Sequence, residues 1–83
     1  MSTTEPTVTR ETAGHVLWYF EQPGGMRPGA FTQHLIAAIE SADRKNEAIL
    51  KEAYPELSAA VDLARHDEDG IAKLQQIARG VSA

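Results

Sequence analysis

Five of the chain's ten proline and glycine residues fall between positions 23 and 29, in the run Gln22-Pro23-Gly24-Gly25-Met26-Arg27-Pro28-Gly29. Two prolines fix φ and remove two backbone donors, while three glycines open the positive-φ region. No helix or strand runs through such a segment, so the fold must be assembled from one element before it and whatever follows it. The element before it carries the longest unbroken apolar run, Val16-Leu17-Trp18-Tyr19-Phe20. That composition is β-like, but the sequence offers no second strand to pair with it, and a lone strand leaves its backbone groups unsatisfied. A helix over about 9–21 is therefore expected, with Ala13, Val16, Leu17 and Phe20 at helical spacing.

Beyond the segment, Phe31, Leu35, Ala38, Ile39 and Ala42 form a stripe for a helix over 30–41. Ile49, Leu50, Ala53 and Leu57 mark another over 44–54, with Ser41 or Asp43 as its N-cap. A single helix over 30–54 is the alternative; a break is preferred, because so long a helix in so short a chain would leave half its face bare. Tyr54-Pro55 ends the third helix, since the residue before proline is pushed out of the α region. A fourth helix follows over 56–65, with Leu57, Ala60, Val61 and Ala64 apolar. His66-Asp67 breaks it, and Asp67 reads as the N-cap of a last helix over 68–79, with Glu68 and Asp69 in its first turn. Ile71, Leu74, Ile77 and Ala78 give its stripe, and Gly80 stands where a helix closes. The expected fold is all-α, a compact bundle of four to five short helices. It forms one domain over 8–80 between a disordered, Ser/Thr-rich tail at 1–7 and a short C-terminal tail at 81–83.

Composition limits what such a bundle can do. Of 35 apolar residues, 13 are alanine, which leaves 22 larger side chains to build a core in 83 residues. A domain of this size buries only roughly 60–65% of its unfolded surface, so few apolar groups remain to line a deep cavity of about 300 Å³ or more. A pocket enzyme is not expected, nor a small-molecule substrate. Cysteine is absent, which excludes disulfides, thiolate metal sites and a cysteine nucleophile. The formal net charge is −4, and the eight Lys and Arg are scattered, with only Arg44-Lys45 adjacent. That balance argues against nucleic acid, whose binders carry a basic face. No apolar run approaches the roughly 20 residues that span a bilayer, and the N-terminus lacks the features of a secretory signal. A cytoplasmic protein is the expectation.

His15, His34 and His66 never pair at helical spacing, so neither a metal nor a catalytic site is read from them. Asp67-Glu68-Asp69-Gly70 lacks the alternating ligands of a calcium loop. The glycine-rich run precedes a helix but has no strand before it and no Gly-Lys-Ser/Thr, so no cofactor is implied. It reads as a rigid turn setting the angle between two helices, or as part of a binding surface exposing Met26 and Arg27. Trp18-Tyr19-Phe20 holds three of the five aromatics. These can anchor the core, yet consecutive apolar positions on one helix cannot all turn inward. Trp18, Tyr19, Met26 and Arg27 are therefore the candidate protein-interface residues, with Trp18 as apolar anchor.

The run Trp18-Tyr19-x-x-x-Pro23-Gly24-Gly25-x-x-Pro28-Gly29-x-Phe31-Thr32, with Leu35-Ile36, Ala42-Asp43, Asn46 and Tyr54-Pro55-Glu56 after it, resembles a group of small hypothetical proteins. They belong to bacteriophages of actinobacteria and to their hosts' genomes. The likeness covers about half the chain, from His15 to Pro55. The group's pattern has Ser and Phe where this sequence has Ala30 and Tyr54, both conservative changes. The resemblance implies a phage or prophage product in a bacterial cytoplasm, and favours Asp43 as a helix cap and Pro55 as a helix start; it implies no mechanism. The expected function is an accessory role through protein–protein contact, with a host or phage partner or by self-association. A dimeric DNA-binding regulator or a minor virion component are the alternatives.

Overall fold

The computed structural model describes residues 7–80; of the expected tails at 1–7 and 81–83, all but Thr7 lie outside them. Five helices follow in order: α1 (Arg10–Tyr19), α2 (Ala30–Ser41), α3 (Arg44–Ala53), α4 (Pro55–His66) and α5 (Gly70–Ala78). There is no strand among the described residues. None of the helices is long and apolar enough to cross a membrane.

Each helix boundary has a local cause. Thr9 caps α1 by accepting the Thr12 N–H at 3.3 Å, and Asp43 caps α3 by accepting the Asn46 N–H at 2.8 Å. The break between α2 and α3 is real: Ala42 is extended at φ −68°, ψ 140°. Ser41 does not cap α3, because its hydroxyl donates back to the Ala37 carbonyl at 2.7 Å. Tyr54 serves two helices at once. Its N–H donates to the Leu50 carbonyl at 2.7 Å to close α3, and its carbonyl accepts the Ser58 N–H at 3.0 Å to open α4. Pro55, with no N–H to lose, takes the first position of α4.

α1 stops short of residue 21, at Tyr19. The Glu21 N–H donates to the Trp18 carbonyl at 3.0 Å and the Gln22 N–H to the Leu17 carbonyl at 2.9 Å. That pair is a Schellman closure, and it forces Glu21 to φ 59°, a value usually left to glycine.

Asp67 is not the N-cap of α5. Its N–H still donates to Leu63 in α4 at 3.4 Å, and its carboxylate accepts the Asp69 N–H at 2.8 Å, an Asx turn that joins the two helices. Glu68 and Asp69 therefore precede the helix. The reason is Gly70, whose backbone sits against the Leu63 carbonyl so tightly that a Cβ there would collide with it. The helix starts where that close crossing allows. At the other end Gly80 adopts φ 79° and donates to the Ile77 carbonyl at 2.9 Å, as expected of a closing glycine.

The core is Ala13, Val16 and Leu17 of α1, Ile36 and Ile39 of α2, Ala60 and Val61 of α4, and Leu74 of α5. α4 touches all four other helices, and α1 packs on α5, α4 and α2. α3 contributes no buried residue and packs against α4. The stripe expected on α2 is turned from the real one. Phe31 and Ala38 are exposed; Ile39 of the expected stripe is buried, and its buried companion is Ile36, which the stripe did not include.

Candidate functional site

The glycine- and proline-rich segment folds back along α1. Met26 N–H donates to the Gly14 carbonyl at 2.9 Å, the Gln75 side chain donates to the Pro23 carbonyl at 3.0 Å, and the Gln33 side chain donates to Pro28 at 2.8 Å. Pro28 is buried. The strap thus ties α1, α2 and α5 together. Gly25 is required where it crosses α1, since a Cβ there would lie 2.6 Å from the Trp18 backbone.

This path decides what the four candidate interface residues do. Trp18 is half-buried beneath the strap, and Arg27 is brought to it, with Cζ 5.7 Å from the ring centroid in a cation–π contact. Tyr19 turns to α2, where its hydroxyl donates to Glu40 Oε1 at 2.9 Å. That bond, helped by burial and the Glu40 charge, raises the Tyr19 pKa. Tyr19 also meets Phe20 edge to face at 5.1 Å. Met26 is 49% exposed and lies beside Gly14. Trp18 and Arg27 therefore form one unit, Met26 sits apart from it along α1, and Tyr19 belongs to the α1–α2 packing.

A larger apolar feature lies elsewhere. Phe31 is 66% exposed and Tyr54 39% exposed, and their ring centroids are 6.4 Å apart. They border an open groove of about 510 Å³ formed by Glu11, Thr12 and His15 of α1, Phe31, Thr32 and Leu35 of α2, and residues 53–57 at the α3–α4 junction. Helix ends place both rings. Phe31 is the second residue of α2, and Tyr54 is the shared cap. A residue at either place escapes the core-facing stripe of its helix.

The charged groups on this groove are carboxylates. Burial pushes the Glu56 carboxyl up, but the Thr9 N–H at 2.8 Å and the Thr9 hydroxyl at 2.7 Å, with help from Thr12, outweigh it and hold the group below its ordinary pKa. Glu11 stands exposed in the first turn of α1. His15 adds a ring that can donate or accept, and neither Lys nor Arg lines the groove.

The sequence reading missed Phe31 and Tyr54 because it gave Phe31 to the core stripe of α2. A stripe through Leu35, Ile36 and Ile39 would have released it, but nothing in the sequence pairs positions 31 and 54. Among the described residues, no three His, Asp or Glu side chains converge to hold a metal ion. No family model matches the chain, and neither a curated protein nor a solved structure matches it.

Proposed function

We propose that the chain is a small accessory protein that works by binding another protein rather than by catalysis. Its setting is the one its sequence pattern implies, a phage or prophage product in the bacterial cytoplasm. The observation that carries this reading is the exposed Phe31–Tyr54 pair bordering a concave, largely apolar groove. Exposed aromatic rings around a depression are the usual anchors of protein interfaces. Phe31, two-thirds exposed, has no burial role that would account for it in the isolated chain. Trp18 with Arg27 offers a second contact area.

A photo-crosslinking amino acid at position 31 tests the reading in an actinobacterial lysate, with the same probe at exposed Glu68 as control. A discrete adduct with another protein at 31 and none at 68 is the expected result. No adduct at 31, or an adduct only with a second copy of the chain, removes it.

A further inference from the structure

The groove is apolar inside and acidic at its edge. Leu35, Pro55 and Leu57 line it together with the two rings, and among the described residues Glu11 and Glu56 are its only acidic or basic side chains besides His15. The acid–base balance is one-sided at this place, in a chain whose net charge is itself −4.

That asymmetry discriminates among occupants. A second copy in a two-fold arrangement would bring this face against itself, setting Glu11 and Glu56 opposite the same carboxylates with no Lys or Arg in the groove to answer them. Like charges facing across an interface disfavour the pairing. Nucleic acid and anionic lipid meet the same repulsion. A segment carrying its own cations has the opposite relation. Its apolar side chain packs against the Phe31–Tyr54 pair while its Lys or Arg groups lie over the two carboxylates. Thr9 and Thr12 keep the Glu56 carboxylate charged, so that half of the rim stays anionic throughout the neutral range.

We infer that this groove recognises a short peptide segment of its partner in which one large apolar residue is flanked by Lys or Arg. The inference rests on the protein-binding reading and specifies the partner's chemistry.

A displayed library of random dodecapeptides, panned on the full chain at low salt, tests it. Selected peptides are expected to combine an aromatic or aliphatic residue with neighbouring cations. Phe31→Ser should weaken their binding by about 30-fold, the range of an interface anchor; Phe31 is exposed, so the fold survives the change. Glu11→Lys should weaken binding several-fold at low salt and much less at high salt, because exposed charges are screened. Glu68→Lys makes the same change of net charge away from the groove and should leave binding nearly unaltered. Peptides that need Phe31 but carry no cationic bias, and that ignore Glu11→Lys, overturn the inference and leave the protein-binding reading standing. Peptides indifferent to Phe31→Ser, or no enrichment at all, overturn both.

Discussion

Glu21 is the residue whose local conformation runs most against its type. It holds a left-handed backbone at φ 59° because the closure of α1 demands it. Glutamate has a Cβ that crowds the carbonyl there, which costs about 1–2 kcal/mol, and glycine has none. Glu21→Gly gives some of this back through its larger unfolded-state entropy. A net gain of about 1 kcal/mol is expected, read as a rise in Tm of roughly 4–8 °C for a domain of this size. Ser58 is the second such residue. It is 5% exposed and its hydroxyl has no hydrogen-bond partner among the described residues. A buried polar group left unpaired costs about 1–3 kcal/mol, and alanine is the better helix former. Ser58→Ala should move the urea midpoint upward by about 1 kcal/mol of stability with an unchanged m value.

At the scale of elements, the clasp between the Thr9 cap of α1 and Glu56 in the first turn of α4 joins two helices 47 residues apart in sequence. Because the folded carboxyl titrates below its unfolded value, its contribution is complete above the ordinary carboxylate pKa of about 4.3. It is lost as pH falls through the depressed folded value. Thermal melts between pH 7 and pH 3 should therefore show a steeper acid loss for the native chain than for Glu56→Gln. Elements were legible in the sequence to the degree that one face of each was apolar and its ends were punctuated. α4 and α5 have single stripes, and the residues named for them are those that face inward. α2 is apolar on most sides from Leu35 to Ile39, so periodicity could not choose a face. Packing against α4 and α1 adds Ile36 to Ile39 on the buried face. The start of α5 was misread for a similar reason. Asp67 has the chemistry of a cap, but the tight crossing at Gly70, a tertiary fact, moves the helix past it. The four candidate interface residues were visible as an excess of apolar and loop positions. The Phe31–Tyr54 pair needs two helix ends brought together in space, and no spacing records that.

The whole molecule is thin, with extents of 37 × 33 × 22 Å and a radius of gyration of 12.2 Å. Among the described residues its core is eight buried apolar residues, drawn from four of the five helices. Total stability for a chain of this length is about 4–12 kcal/mol. Leu74 is fully buried on the helix that α1 and α4 share. Leu74→Ala should cost about 3–4 kcal/mol through the cavity it leaves, a quarter or more of that total, read as a fall in the urea midpoint followed by circular dichroism. Ile49→Ala, on the outer side of α3, should change stability by about 0.5 kcal/mol or less. The difference between those two variants measures how little of the fold depends on α3.

The crossing at Gly70 has a consequence for inheritance. A glycine codon altered at either of its first two bases yields another amino acid or a stop, and every one of those amino acids carries the β-carbon that the Leu63 carbonyl leaves no room for. Missense change at this position therefore has no mild form. In a lineage of such genes the third base of this codon would drift freely while the first two stayed still, even if every residue around it turned over.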